Sequence, residues 1–277
     1  MNWSVLAPAI IVAGVCAFAL LERAFPYDRG QRMLREGFWT DLIFYTLIQS
    51  YVLALLIAQL TRWIDSSTGW SRLHLVSDWP LAGQVAFFVV THDLYIYWFH
   101  RWQHSSPILW RLHEAHHSAR SVDWLASTRS HAVEILINQT IEFAPMVLLG
   151  ASPEVPLIKG VIGALWGMYI HANIGVRTGR LQYVINGPEA HRWHHALDAD
   201  AYGKNLATKL SIWDRLFGTA WLPDGRKPSG YGLTDVEFPT NYFRQHLFAL
   251  RPLEPSRGAE PPVDGRDPGR DGEPAVP

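Results

Sequence analysis

The chain contains little charge and almost no cysteine. Of its 277 residues 18% are charged and a single one, Cys16, is a cysteine, whereas an average soluble protein has roughly 25% charged residues. One cysteine excludes a disulfide framework within the chain, and a net charge of −1 gives no electrostatic basis for nucleic acid as a partner. Hydrophobic residues make up 48% and tryptophan occurs thirteen times, which is typical of a protein that meets a lipid interface.

Long apolar runs predict an all-α integral membrane protein with four to five membrane-embedded helices, since a helical span needs ~20 residues. The runs are residues 3–21, 38–60, 79–100, 133–151 and 155–171. The first lacks the basic region and small-residue cleavage site of a signal peptide, so we interpret it as an anchor. The last two are shorter, are joined at Ser152-Pro153, and predict a hairpin that enters and leaves the membrane.

Loop charge predicts the orientation, because short cytoplasmic loops collect Lys and Arg. The loop after the first run carries Arg23, Arg29, Arg32 and Arg35, whereas the loop after the second carries Arg62 and Arg72, balanced by Asp65 and Asp78. We therefore expect the N-terminus outside and the 22–37 loop in the cytoplasm. All dense histidine groups then reach one membrane face as a cytoplasmic helical cap. The compact chain without organelle signals favours a bacterial inner membrane.

Composition divides the chain into four predicted segments. Residues 1–34 form the anchor helix and its basic loop, 35–222 the histidine-rich membrane domain, 223–251 an interfacial segment, and 252–277 a tail. The tail is rich in Pro, Gly and mixed charge without aromatic residues, which predicts disorder.

Nine histidines lie in three boxes and one isolated position, all predicted on the same membrane face. The boxes are His100-x-x-x-His104, His113-x-x-His116-His117 and His191-x-x-His194-His195, and the isolated residue is His171. Offsets of three and four residues place side chains on neighbouring positions of one helical face. Neutral imidazole binds Fe, Zn, Cu and Ni, and two ions with four or five nitrogen ligands each would use nine histidines. The spacing therefore predicts an all-nitrogen site for two metal ions.

Two other kinds of protein contain histidine-rich membrane segments, metal transporters and membrane haem proteins. A metal transporter would place polar ligands at mid-membrane, where only His92 and Asp93 are expected. A membrane haem protein would place axial histidines on facing spans at matched depths. Neither alternative explains boxes that cluster at one membrane face.

The remaining ionisable residues of the region are assigned other roles. His92 lies ~12 Å deeper than His100 along a helix with 1.5 Å rise per residue, too far to share a metal, and is expected to face a polar pocket or another span. Asp93 falls on the face of His100 and is expected to form hydrogen bonds around the site, with a salt bridge to a neighbouring span as the alternative. His74 and His246 are interpreted as structural.

The motifs resemble the fatty acid hydroxylase / sterol desaturase superfamily. The resemblance rests on Asp93…Tyr97-Trp98-x-His100-Arg101-x-x-His104, Leu109-Trp110-x-x-His113-x-x-His116-His117-Ser118, Arg129-Ser130-His131-x-x-Glu134, His171-Ala172-Asn173-Ile174, Pro188-Glu189-Ala190-His191-Arg192-Trp193-His194-His195 and Trp213-Asp214-Arg215-Leu216-Phe217-Gly218-Thr219. It covers roughly residues 35 to 222. Ala132 replaces the proline that the family usually has after His131.

The resemblance implies a non-haem di-iron, O₂-dependent membrane enzyme that hydroxylates a C–H bond of a lipid, with desaturation as the alternative reaction. It implies that the nine histidines bind two iron ions and that Asp93, His131, Glu134 and Asn173 lie around them; His131 stands between a ligand and a supporting residue. The sequence has no His-Pro-Gly-Gly haem motif, so electrons are expected from a separate cytochrome, ferredoxin or reductase. The lipid could be a sterol, fatty acyl chain, alkyl ether lipid or carotenoid.

Overall fold

In a computed structural model, which describes residues 2–234 and 237–252, the regular structure of these residues is helical. The helices are α1 (Trp3–Ala24), a π-helix (Thr40–Gln49) that runs directly into α2 (Ser50–Thr68), α3 (Leu81–Ser105), α4 (Pro107–His117), α5 (Ala132–Leu148), α6 (Glu154–His171), α7 (Pro188–His194), α8 (Ile212–Leu216) and α9 (Tyr242–Phe248). The predicted all-α class is confirmed. The tail expected at 252–277 lies, beyond residue 252, outside the described residues.

Two of the described helices are long and apolar enough to cross a membrane, α1 and the continuous helix Thr40–Thr68. Only 6% of the apolar window of α1 is buried within the protein, and side chains such as Val12, Leu20 and Trp63 are more than 60% exposed. A soluble monomer rarely presents apolar surface on this scale. The outward faces of both helices therefore suit hydrocarbon better than water.

The other predicted spans correspond to α3, α5 and α6, and their insertion in a membrane stays a prediction. Each carries buried ionisable side chains, such as Asp93, Glu134 and Lys159, which lower the mean hydropathy of the segment. α1 packs against α6, α2 against α5, and α3 against both α4 and α6. The result is a helical bundle whose more polar members lie inside and whose apolar members face out.

Proline determines where the histidine-bearing helices begin. Ser106 ends α3 and caps α4, its Oγ accepting a hydrogen bond from the Leu109 amide at 3.4 Å. Pro107 then occupies the first turn of α4, where a missing amide hydrogen has no effect on helical bonding. Pro188 likewise occupies the first turn of α7, directly after Gly187. These breaks fold α4 back onto the end of α3, so that histidines from both helices face each other.

Candidate metal centre

The nine predicted histidines lie together at one end of the bundle, in two groups. Within each group the potential ligand atoms lie within 4.8 Å of one another. The first group is His100, His104, His113, His117 and His194; the second is His116, His171, His191 and His195. Four segments of the chain therefore contribute to one cluster, which is buried except for the half-buried His104.

The division between the groups follows helical geometry. Residues four apart project within about 40° of each other, whereas adjacent residues project about 100° apart. Each pair of histidines with a spacing of four, namely 100/104, 113/117 and 191/195, accordingly stays within one group. The middle histidine of each H-x-x-H-H box, His116 or His194, contributes to the other group. Each of these two boxes thus supplies both groups.

Backbone carbonyls fix the orientation of four rings. Nδ1 of His100 lies 2.7 Å from the Leu206 carbonyl oxygen, and Nδ1 of His194 lies 3.0 Å from that of Lys204. His116 and His171 make the same kind of contact, at 3.0 Å with Arg129 and 2.8 Å with Gly167. A carbonyl oxygen only accepts, so Nδ1 must donate its proton. In the neutral ring Nε2 then carries a free lone pair, the state that binds a metal.

A carboxylate performs this function for a fifth ring. Oε1 of Glu134, in the first turn of α5, lies 3.0 Å from Nδ1 of His113. The carboxylate accepts a hydrogen bond from the Nδ1–H group of His113 and directs Nε2 of His113 towards Nε2 of His100, 3.1 Å away. Glu134, expected from the resemblance to lie around the site, is therefore placed against a ligand candidate.

Facing lone pairs test whether a metal pair fits. His100 and His113 face each other through Nε2 atoms that are both unprotonated, as do His116 and His171 at 3.2 Å. Two lone pairs at this distance repel unless a cation binds both. In addition, Nε2 of His104, His117 and His194 is buried and has no hydrogen-bond partner among the described residues. A polar atom buried without a partner is costly, and metal coordination would satisfy all of these nitrogens.

Burial keeps the histidine rings of α4 and α7, and that of His195 directly after α7, in the neutral form. It lowers the pKa of His113, His117 and His194 well below the usual value, and neighbouring histidines lower it further. The pKa values of His191 and His195 are lowered for the same reasons. Metal binding requires the unprotonated imidazole, so the site holds its ligands in the required state at neutral pH.

A second layer of buried contacts holds the segments that carry the carbonyl acceptors. Asp93 accepts four hydrogen bonds, from the Thr208 hydroxyl, the amides of Lys209 and Leu210, and the Trp213 indole, at 2.7–3.0 Å. Asp214 accepts from the Leu206 amide at 2.7 Å. Both carboxylates thus fix the loop whose Leu206 carbonyl orients His100. The hydrogen-bonding role expected for Asp93 agrees with this placement; its nearest cation, Lys209, is 3.8 Å away.

The structure does not bring His131 or Asn173 into the cluster. His131 caps α5 by accepting a hydrogen bond from the Val133 amide, and its ring lies 4.6 Å from that of His246, whose Nε2 accepts from the Ala132 amide. The side chain of Asn173 binds the backbone of Asp28 instead. His246 and His74 likewise lie outside both groups.

Charged pairs that sequence reasoning did not assign also support the site. Arg129 donates to both carboxylate oxygens of Asp41 at 2.9 and 3.1 Å, and Arg35 bridges Asp41 and Asp123. This network holds the segment whose Arg129 carbonyl orients His116. The available signal was an acidic residue, Asp41, inside an otherwise apolar run, because ionisable groups at such positions are rare without a role.

Two cavities reach the cluster, and they are lined by different histidines. The first, of about 530 Å³, lies among α3, α5 and α6 and reaches His100, His113, His116, His171 and His191, which belong to both groups. The second, of about 450 Å³, reaches His104, His117, His194 and His195 together with Trp110 and Tyr202. Small-molecule sites are usually concave, largely apolar and equipped with a few polar groups, a description that the first cavity meets.

The fold and the site define a helical protein whose histidine cluster could hold metal beside an apolar cavity. The family model for fatty acid hydroxylase matches residues 85–219. Ornithine lipid hydroxylase OlsE of Rhizobium tropici is 30% identical over 233 residues, 81% of this chain and 70% of that protein. The chain therefore belongs to the fatty acid hydroxylase superfamily, and the resemblance read from its motifs is confirmed.

Other relatives match over a smaller share of their own length. Human alkylglycerol monooxygenase is 30% identical over 198 residues, 69% of this chain and 42% of that protein. Human lathosterol oxidase is 26% identical over 172 residues, 59% of this chain and 56% of that protein. No solved structure matches the chain significantly. The named relatives are oxidoreductases, and those names support lipid oxidation as the activity of the family.

Proposed function

We propose that the protein is a membrane-bound, O₂-dependent lipid hydroxylase with two iron ions held by the nine histidines. The observation that carries the proposal is the convergence of nine histidine side chains in two groups beside an apolar cavity, five of them with a partner for Nδ1 that leaves Nε2 unprotonated. His100, His104, His113, His117 and His194 would hold one ion, and His116, His171, His191 and His195 the other. When bound, the metal pair supplies the O₂ chemistry that oxidises an unactivated C–H bond.

The residues of the chain provide orientation and exclusion of water. The carbonyls of Leu206, Arg129, Gly167 and Lys204, with the Glu134 carboxylate, hold five of the nine imidazoles in one tautomer. A lipid chain in the first cavity would lie against apolar side chains such as Ile135, Phe143 and Met168. Such a lining positions the reacting carbon and keeps water away from it, which is the contribution a protein makes to cofactor chemistry.

The substrate is proposed to be a polar lipid, and hydroxylation is preferred to desaturation because the relatives with 30% identity are named hydroxylase and monooxygenase. Electrons would come from a separate donor protein at the face of the second cavity, where Trp110 packs 5.1 and 5.2 Å from the rings of His104 and His117. The proposed location is a bacterial inner membrane with the histidines on the cytoplasmic side.

The decisive experiment measures metal and product together. The 277-residue chain is expressed in bacteria, and the lipids of these cells are compared by mass spectrometry with those of cells carrying an empty vector. A lipid heavier by one oxygen is expected, and one lighter by two hydrogens would instead establish desaturation. Purified protein is expected to contain about two irons per chain. Protein without bound iron, or with iron and unchanged lipids in every host tested, would contradict the proposal.

A further inference from the structure

The first cavity extends beyond the histidines to a polar end. The polar end is formed by four residues that line the cavity, His92, Asn138, Gln139 and Glu142. His92 lies eight residues before His100 on α3, so the polar end is ~12 Å from the histidine cluster along a helix of 1.5 Å rise. Ile96 lies between His92 and His100 along α3, and the apolar side chains of Ile135, Phe143 and Ala164 also line the cavity. This arrangement separates an oxidising end from a hydrogen-bonding end.

Lys159 determines which hydrogen bond His92 can offer. Its ammonium lies 3.2 Å from Nδ1 of His92 and also contacts Glu142. An ammonium group only donates, so Nδ1 of His92 accepts and the ring proton lies on Nε2. The side chain of His92 is 9% exposed, and its Nε2 finds no hydrogen-bond partner among the described residues. The cavity therefore contains a buried N–H donor that requires an acceptor.

The charges at the polar end cancel. Lys159 is fully buried and paired with Glu142, whose side chain is 13% exposed. Lys209, which also lines the cavity, lies 3.8 Å from Asp93. A charged group of a ligand at this end would lose its hydration, and among the described residues it would find no unpaired side chain of opposite charge to compensate. Burying a charge in this way is costly. An uncharged group that accepts and donates hydrogen bonds would meet no such penalty.

We propose that the polar end of the cavity is a subsite for an uncharged, oxygen-bearing group of the lipid, a hydroxyl or carbonyl that accepts from Nε2 of His92 and lies beside Glu142. The proposal deepens the proposed function, on which it rests, by naming the substrate class: a lipid with such a group ~12 Å from the oxidised carbon. His92 is a specificity residue in this view. Within the described part of the chain the polar contacts of His92 are with Lys159 and Glu142, and its ring also lies 5.8 Å from that of Tyr95. Ile96 lies between His92 and His100 along α3, which argues against a proton path to the cluster.

Ligand binding tests the subsite without requiring turnover. Tritiated 1-hexadecanol and n-hexadecane serve as probes, and their binding to the purified chain in detergent is measured by scintillation proximity. For each probe, the ratio of the binding to wild type and to the variant is reported, and the partition of the probe into detergent is the same in both measurements. His92→Phe is expected to weaken binding of the alcohol about tenfold, the scale of one buried hydrogen bond, and to leave the alkane within about twofold. His92→Gln keeps an N–H donor and is expected to restore much of the difference.

Two further variants separate the polar contact from general packing. Ile96→Ala, in the apolar part of the cavity, is expected to weaken both probes by a similar factor. Asn138→Leu, at the polar end, is expected to act selectively on the alcohol and provides the test if His92→Phe does not fold. Equal weakening of both probes by His92→Phe and Asn138→Leu, or no binding of either probe to wild type, would overturn the subsite. Selective alcohol binding by a protein that oxidises no lipid would support the subsite and contradict the proposed function instead.

Discussion

The Glu134 carboxylate accepts a hydrogen bond from Nδ1 of His113 at 3.0 Å, and both side chains are buried. This contact links the first turn of α5 to the histidine box of α4. It holds the His113 ring against rotation about its χ2 bond and directs Nε2 into the cluster. Residues that orient metal-binding histidines in this way fix the tautomer and the ring orientation and raise the basicity of the ligand.

Replacing Glu134 by leucine should therefore weaken iron binding. We expect a loss of about 10- to 100-fold in iron affinity, the range seen when such an orienting partner is removed. The loss should be smaller for Glu134→Gln, because its amide oxygen still accepts a hydrogen bond from Nδ1 of His113. Chelator competition with iron quantified by mass spectrometry gives the affinity. Glu114→Gln is the matched control, because Glu114 is also buried beside the cluster but pairs with Arg111 and Arg251. Equal affinity of Glu134→Leu and wild type would contradict the assignment.

Single histidine variants should distinguish ligands from other histidines. His194→Ala removes a member of the first group and His116→Ala a member of the second, and we expect both to lose iron and turnover. His74→Asn, outside both groups and in a left-handed conformation that asparagine tolerates, should keep both. Iron content and product formation are measured on the same preparations. Wild-type activity of either alanine variant would remove that residue from the ligand set.

Asp93→Asn should destabilise the fold. Each carboxylate oxygen accepts two hydrogen bonds, so an amide NH₂ in either orientation must face a backbone N–H. Leaving buried donors unpaired costs about 3 kcal/mol, which lowers the midpoint of thermal unfolding by roughly 6–12 °C for a chain of this size. The exposed Asp78→Asn is the control. A midpoint within about 2 °C of wild type would show that the loop does not depend on Asp93.

The metal-free protein should lose stability in mild acid. Burial lowers the folded-state pKa of His113, His117, His194 and His195 well below the usual value of 6.5. Below pH 6.5 the unfolded chain takes up protons that the folded chain does not, so unfolding becomes more favourable as pH falls. Stability should be constant above about pH 7.5 and decline below 6.5.

The measurement is the unfolding midpoint of chelator-treated protein between pH 5 and 8. The variant His194→Ala should show a shallower decline, since one depressed group is removed, whereas His74→Asn should not change the slope. A midpoint that rises towards acid would mean that these rings gain protons on folding, contrary to the structure.

Several features of the site were predictable because they depend on spacing along one helix. The offsets of His100/His104 and His113/His117 determine that each pair shares a face wherever the helix packs. The break between α3 and α4 at Ser106-Pro107 also depends only on neighbouring residues, since the ring of proline is incompatible with the interior of a helix. The all-helical class follows from apolar runs too long for strands.

The resemblance placed both Glu134 and His131 around the site, but the sequence did not show which of the two contacts a metal-ligand candidate, although both lie in one short motif. His131 precedes α5 and accepts from the Val133 amide, while Glu134 points towards His113. Which of the two reaches the cluster depends on where α5 meets α4, and that contact joins residues distant in the chain. The contacts of Lys159 with Glu142 and His92 likewise join different helices, so the sequence alone does not predict them.

The sequence by itself determined which nitrogen donors are available, which of them share a helical face, and the family to which the chain belongs. Only the tertiary structure decided how they divide, with the middle histidine of each H-x-x-H-H box joining the group opposite to its neighbours. The reason is physical: adjacent residues on a helix project about 100° apart, and which neighbour each ring then meets depends on how four separate helices pack.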